Sequence, residues 1–458
     1  MKGFVLTPVS VVDLMVDKLF GLRPPAPTAT LLDPGCGTGG FIEGVVRWCR
    51  RHDAPLPEIL GIESNPNHVA EARVRFRQLP QVEIRHEDFL RPSSQRFDYI
   101  IGNPPYVPIT GLSPQEREAY RRDYETANGR FDLYLLFFEQ ALSLLKPDGR
   151  LVFITPEKFL YVGTASPLRR LLGRLRVEEL HFMNEETFGE LVTYPLVSVV
   201  SRRPPGARTD VTRRDGASLS IPLVRDGSSW LPSIMGSRPK RSEHTLADVC
   251  SRVSCGVATG ADSVFIVRSS ELSAELREFA HPTISGRHLQ QDEPPQPVHS
   301  MLVPYSALGT LLPEDRLGPL RPYLRDPRRY AKLLARTCVE RKPWYAFHEN
   351  PPMREVLQRK ILCKDIGASP FFVIDRSAAI IPRHSVYYIV PNELDRIDEL
   401  AEYLNSRHAH RWLRDHCQRA ANGFLRLQSH VLKRLPVPQN LAPTSSKPAV
   451  EVADTRLA

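Results

Sequence analysis

Several absences narrow the field first. Seven cysteines in 458 residues form no C-x-x-C pair and have no histidine at ligand spacing, so neither a disulfide framework nor a zinc site is expected. No apolar stretch is long enough to span a bilayer, and the most apolar one, Leu133 to Leu145, is interrupted by Glu139. The opening "GFVLTPVSVV" is followed at once by Asp13 and lacks a small-residue cleavage pattern, so it is not expected to be a secretory leader. There is no internal repeat. The expectation is a cytoplasmic protein with reduced thiols, no metal and no membrane association.

Composition is that of a globular chain, with 41% hydrophobic and 25% charged residues. The net charge of +9 is uneven: between Arg316 and Arg383 there are 15 Lys+Arg against 6 Asp+Glu. That surplus equals the whole net charge and suits an anionic partner, although a basic run is more commonly a solvated face.

In chain order, Val9 to Phe20 has helical periodicity, and Ala29 to Asp33 reads as a buried strand followed by "PGCGTGGF" and an apolar helix. Strand, glycine loop and helix open a doubly wound α/β fold. Further strands are expected at Glu58–Glu63, Val82–Asp88, Tyr99–Ile101 and Arg150–Thr155. Val177–Met183 and Pro195–Ser201 follow as a pair that suggests an antiparallel edge on a mostly parallel sheet. The proposed division is a catalytic domain over 1–203, a junction rich in Arg, Pro, Gly and Ser over 204–240, a mixed α+β recognition domain over 241–441, and a flexible tail over 442–458. Asp395 to Cys417 reads as one helical stretch.

The glycine loop holds Gly35, Gly37, Gly39 and Gly40 but no lysine where a P-loop needs one. Asp33 in front of it would repel a pyrophosphate and welcome a cationic amino group, which points to S-adenosylmethionine. Glu63 at a strand end can accept from ribose hydroxyls. Asp88 can accept from an adenine amino group, with Phe89 against the ring. Each alone is as readily a turn residue or helix cap; their order along one sheet edge argues for a site.

"FDYIIGNPPYV" (Phe97 to Val107) carries the chemistry. A planar amino nitrogen is a poor nucleophile because its lone pair is delocalised. The Asn103 side-chain oxygen and the Pro104 carbonyl are two acceptors that can grip its hydrogens. The prolines lock the loop, and Tyr106 offers a face for stacking. No cysteine is placed to attack a pyrimidine ring, and no D-x(n)-E-x-K nuclease cluster stands in strand context.

These motifs resemble those of the gamma-class, TaqI-like N6-adenine DNA methyltransferases, the modification enzymes of restriction systems. The likeness runs through "DPGCGTGGF", "GIESNP", "HEDF", "FDYIIGNPPYV" and "FDLYLLFFEQALSLLKPDGRLVFITP". It echoes in "TISGRHLQ" and returns in "EYLNS" and "LKRLPVP". The resemblance implies that Thr7 and the Asp33-Pro34-Gly35-Cys36 turn meet the methionine part of S-adenosylmethionine, with Pro105 lining the same pocket. It also implies that Phe188 stacks on the target base opposite Tyr106, although "FGELVTYP" lacks the lysines that follow the equivalent phenylalanine in a relative. Implied partners are double-stranded DNA and a separate cognate restriction endonuclease, with the chain acting as a monomer. Competing readings are an Asn-Pro-Pro-Tyr enzyme acting on protein glutamine, RNA or cytosine N4, and an inactive DNA-specificity protein.

Overall fold

The computed structural model describes residues 6–21, 23–188, 194–236, 244–419 and 424–442. The chain forms two compact units, Met1–Arg238 and Pro239–Ala458. No helix among the described residues is long and apolar enough to cross a membrane.

The strands of the first unit are β1 (Thr30–Pro34), β2 (Glu58–Glu63), β3 (Val82–His86), β4 (Phe97–Gly102), β5 (Leu145–Pro156), β6 (Arg176–Phe182), β7 (Pro195–Ser201), β8 (Thr209–Thr212) and β9 (Ser218–Ile221). They make one sheet in the order β3-β2-β1-β4-β5-β7-β6-β8-β9. Period-2 alternation sends neighbouring residues to opposite faces. Leu31, Ile59, Ile101 and Val152 join one core, with Met15, Val16 and Leu19 of α1 (Val9–Phe20) and Ile42 and Val45 of α2 (Gly40–Arg51). Leu32, Leu60, Ile100 and Leu151 join the other. Their partners there are Leu135 and Phe138 of the helix Leu133–Leu144 and Leu168 of the helix Ser166–Gly173. Strands buried on both faces explain the nearly unbroken apolar runs read from the sequence.

The sheet departs from expectation at one side. Pro195–Ser201 is not an edge: it pairs antiparallel with both β5 and β6 and lies between them. Nor are residues 204–236 a junction. Thr209–Thr212 pairs parallel with β6 and Ser218–Ile221 antiparallel with β8, so this stretch extends the sheet. Trp230 is fully buried, and its indole N–H donates to the Val224 carbonyl. Polar composition concealed a hairpin whose Asp215-Gly216 turn is flanked by inward Val211 and Ile221. Residues 237–240 of the expected junction, and 443–458 of the expected tail, lie outside the described residues.

The second unit holds β10 (Cys250–Cys255), β11 (Ile266–Arg268), β12 (Ala280–Ile284), β13 (His299–Leu302), β14 (Lys360–Lys364), β15 (Ile366–Gly367), β16 (Val373–Asp375), β17 (Ile381–Pro382), β18 (Val386–Pro391), β19 (Gln418–Arg419) and β20 (Leu425–Arg426). They form the sheets β10-β18-β14-β16, β11-β13-β12-β17 and β15-β20-β19. The helix expected over 395–417 is two, Ile397–Leu404 and Arg407–His416. Asn405 leaves the helix to bond both backbone groups of Phe372, at 3.0 and 2.8 Å, and Ser406 caps the next one.

Much of the basic surplus is spent inside this unit. Arg321 and Arg325 pair with Glu314, Arg329 with Asp326 and Arg376 with Asp398. Arg336 donates to four backbone carbonyls. Trp344 and Tyr345 pack on each other edge to face, and the Tyr345 hydroxyl donates to Leu312.

Candidate cofactor and target-base site

The site grows from the carboxyl ends of β1, β2 and β4. Directly after β1, the Gly35 and Cys36 amides both donate to the Ile62 carbonyl at 2.8 and 2.9 Å, folding the glycine loop across β2. Gly39 ends the loop at φ +93°, and a Cβ there would lie 2.2 Å from the Phe76 ring. Both the conformation and the space require glycine. α2 starts at the next residue.

Glu63, the last residue of β2, is held by two backbone donors: Gly37 at 2.9 Å and Asn65 at 2.7 Å. Asn65 then caps the helix Pro66–Phe76. The carboxylate is therefore aimed and charge-compensated in advance. Asp33 differs. It is fully buried, and neither carboxylate oxygen has a hydrogen-bond partner among the described residues. Burial pushes its carboxyl well above the usual range, and the Glu63 charge adds to the shift. Such a carboxylate fits the cationic amino group of an amino-acid-like ligand and fits a phosphate badly. Gly102 lets β4 close on it, since a Cβ there would stand 3.2 Å from Asp33 Oδ1.

Asn103 follows at once, and its amide nitrogen donates to the Thr7 hydroxyl at 3.1 Å. A cleft of about 520 Å³ is walled by Thr7, Gly35, Cys36, Glu63, Asn103 and Pro105 together with Phe41, Asn65, His68 and Phe137. Burial raises the Cys36 thiol, with Asp33 and Glu63 adding to it, so that side chain is a neutral wall.

Other expected residues lie outside these walls. Asp33 and Pro34 are the last two residues of β1, Gly37 is in the loop that follows, and Pro104 is buried. β3 ends at His86, two residues before Asp88. Asp88 is exposed and accepts from the Leu90 amide at 3.0 Å. Phe89 is buried, with its ring centroid 5.0 Å from that of Phe137, so it supports a wall residue from behind. The Tyr106 ring packs edge to face with Tyr134, and its hydroxyl donates to the Ile154 carbonyl. Burial pushes its phenol up. Phe188, in the turn Glu185–Phe188, packs with Met183 against the other core. The two rings expected to sandwich a base thus rest on different apolar layers, and residues 189–193 lie outside the described residues.

Sequence reasoning missed Asn65, His68 and Phe137 as wall residues. The Asn65-Pro66 helix start right after a strand-terminal acid was the available signal. It also missed Arg214, on the β8–β9 hairpin. Arg214 pairs with buried Glu157, donates to the Met183 carbonyl, and lies over the rings of Phe182 and Tyr194. It ties together the two ends of the loop that carries Phe188.

A parallel sheet with one antiparallel strand between its last expected members, a glycine loop, a strand-end acid and an Asn-Pro-Pro-Tyr loop define a methyltransferase-type α/β domain. The Eco57I restriction-modification methylase family model matches residues 59–188, and that of the TaqI-like C-terminal specificity domain matches residues 320–437. In both matched segments the chain is similar to restriction-modification methylases of the gamma class. Type II methyltransferase M.PaeR7I of Pseudomonas aeruginosa is 25% identical over 77% of this chain, which spans 66% of that protein's length. Type II methyltransferase M.BstVI of Geobacillus stearothermophilus is 25% identical over 96% of this chain and 91% of its own. Among solved structures, the Type IIL restriction-modification enzyme MmeI in complex with DNA shares the fold with a TM-score of 0.66 at 13% identity. That match covers 94% of this chain and 63% of the other.

Proposed function

We propose that this chain transfers a methyl group from S-adenosylmethionine to the N6 amino group of an adenine flipped out of double-stranded DNA. The observation that carries the reading is that Asn103 and Pro105 share one cleft with Thr7, the glycine loop and Glu63. S-adenosylmethionine, when bound, supplies the electrophilic methyl group. The Asp33 carboxylate would receive its ammonium, and Glu63 its ribose hydroxyls; Asp88 and Phe89 are assigned to the adenine end.

A base inside a duplex cannot reach such a cleft, so the adenine must leave the stack, at a cost of a few kcal/mol. Stacking on Tyr106 and Phe188, worth about 1–3 kcal/mol per base, offsets much of that. Asn103 and the Pro104 carbonyl then accept the two amino hydrogens and draw the nitrogen lone pair out of conjugation, so catalysis is chiefly alignment. Sequence reading is assigned to the second unit, with the chain acting as a monomer in the cytoplasm beside a separate cognate endonuclease.

The test is to incubate the protein with unmethylated DNA and labelled S-adenosylmethionine, digest the DNA and identify the nucleoside. N6-methyladenine is expected. Label in N4-methylcytosine, in RNA or in protein would refute the assignment, as would duplex binding with no consumption of the methyl donor.

A further inference from the structure

The second unit gathers cations at one edge of a sheet. β11 ends at Arg268, which lies opposite His299, the first residue of β13. β12 runs antiparallel to β13, with Thr283 opposite His299, and ends in the Ser285–His288 turn. β17 runs parallel to β12, with Ile284 beside Pro382, so Arg383 leaves the sheet at the same edge. Its amide donates to the Ile284 carbonyl at 2.9 Å. The rings of His288 and His299 stack with centroids 5.5 Å apart, and His288 Nδ1 meets the Ser285 hydroxyl at 3.0 Å.

Arg383 is the unusual member. It is 6% exposed, and its Nε and Nη2 are buried without a hydrogen-bond partner among the described residues. Two other inward cations of this unit are saturated, Arg336 by four carbonyls and Lys360 by Asp375 and the Gln358 carbonyl, whereas Arg252 also has a buried Nε without a partner among the described residues. A buried guanidinium left without acceptors is costly, and the exposed Arg287 acts on it, while Arg268, also exposed, stands opposite His299 with Glu271 at 3.9 Å. One carboxylate, Asp262, acts on Arg383, and that group is already engaged by the Thr259 hydroxyl.

We propose that this edge is a phosphate site, in which Arg268, the Arg287–His288 turn and Arg383 together hold a backbone phosphodiester of duplex DNA. The inference rests on the DNA reading above and deepens it. Among the described residues, the three guanidinium groups face only Glu271, beside Arg268, and Asp262, beside Arg383, so a positive charge is left over and calls for an anion. Burial and the neighbouring arginines hold the His288 and His299 imidazoles toward their neutral form, in which they serve as hydrogen-bonding groups. A guanine edge presents only neutral acceptors and would leave the surplus uncompensated.

The test uses the full chain and a short labelled duplex of mixed sequence, with binding followed by anisotropy between about 50 and 200 mM salt. Arg268→Ala/Arg287→Ala changes two exposed side chains. It should bind more weakly, and the slope of log affinity against log salt should fall by about 0.9 per lost contact, narrowing the gap to the parent about 12-fold across that range. Arg383→Met should also bind more weakly while its melting temperature without DNA stays level or rises, because it relieves an unpaired buried charge. An unchanged slope in the double variant overturns the site. So does a melting temperature that falls in Arg383→Met with the slope intact, which is the signature of a structural arginine. Inorganic phosphate that stabilises the parent but not Arg383→Met, with duplex slopes unaltered, would assign the edge to a free anion and overturn the DNA source. Methyl transfer is measured on the same preparations. A parent that methylates DNA while the slopes agree sinks this site alone, whereas a parent that binds duplex but transfers nothing sinks the methylation reading and leaves the site to be judged on the slopes.

Discussion

Replacing Asp33 with Asn separates two roles that one carboxylate combines. Two acids lie buried close to each other near the cleft, but only Glu63 is compensated, by the Gly37 and Asn65 amides at 2.9 and 2.7 Å. Asp33 has no such donors among the described residues, and its carboxyl is pushed well above the usual range by burial and by Glu63. Without ligand, an ionised Asp33 therefore destabilises the fold. The folded state binds the extra proton. Stability is accordingly full below the unfolded value, about pH 3.9, and drains as pH rises through the folded one. Asp33→Asn should flatten that decline and raise the melting temperature at neutral pH, by about 2–4 °C for each kcal/mol relieved. Binding of S-adenosylmethionine should move the other way. Losing one partner of a buried charge pair costs about 2–3 kcal/mol, roughly a 30- to 150-fold rise in Kd. Equal affinity in the two proteins would refute the role given to this carboxylate.

Asn103→Ala should keep S-adenosylmethionine affinity within a fewfold in calorimetry and lose about 10²–10³-fold in kcat in methyl-transfer assays, by analogy with removing one positioned hydrogen-bonding group from a transition state. Gly39→Ala meets both a left-handed φ of +93° and the Phe76 ring at 2.2 Å; it should cost about 2–4 kcal/mol in urea unfolding, part of which Phe76→Leu restores. Lys360→Met strands Asp375, since both side chains are sealed from solvent and bonded at 2.6 Å. The loss should be about 3 kcal/mol of unfolding free energy, with turnover unchanged at temperatures where the variant is folded.

The central strands were legible because their apolar runs are short, buried on both faces and bounded by turn residues. Glu58–Glu63 matches its expected limits residue for residue. The placement of the candidate residues was equally open to reading: Asp33, Glu63 and Asn103 lie at or just after the ends of strands that the sheet aligns. What stayed hidden depends on pairing partners far along the chain. Nothing local in Pro195–Ser201 tells that it inserts between β5 and β6 rather than flanking them. The β8–β9 hairpin was obscured because arginines dominate its composition, while its buried alternation spans only four residues per strand. The third strand was read two residues too long, to Asp88, because "EIRHED" continues to look extended where the ladder has already ended at His86. The basic run was visible as charge, but its division between structural pairs and an open cluster needs coordinates.

Both units put their unusual side chains where strands stop, and the reason is physical. Within a ladder the backbone groups are taken and the side chains are committed to one core or the other. At a strand end the chain turns, so charged groups from several strands can converge without sharing a core. In the first unit that convergence is anionic and polar, with Asp33, Glu63 and Asn103 at the ends of β1, β2 and β4. In the second it is cationic, with Arg268, Arg287 and Arg383 at the ends of β11, β12 and β17. Each set carries one buried ionisable side chain with polar atoms that lack a hydrogen-bond partner among the described residues, Asp33 and Arg383. The folded chain bears that cost in two places of opposite sign, matching a ligand with a cationic end and a polyanion. A protein that only packed its cores would gain stability by losing either charge, so melting temperature and ligand affinity should change in opposite directions at both positions.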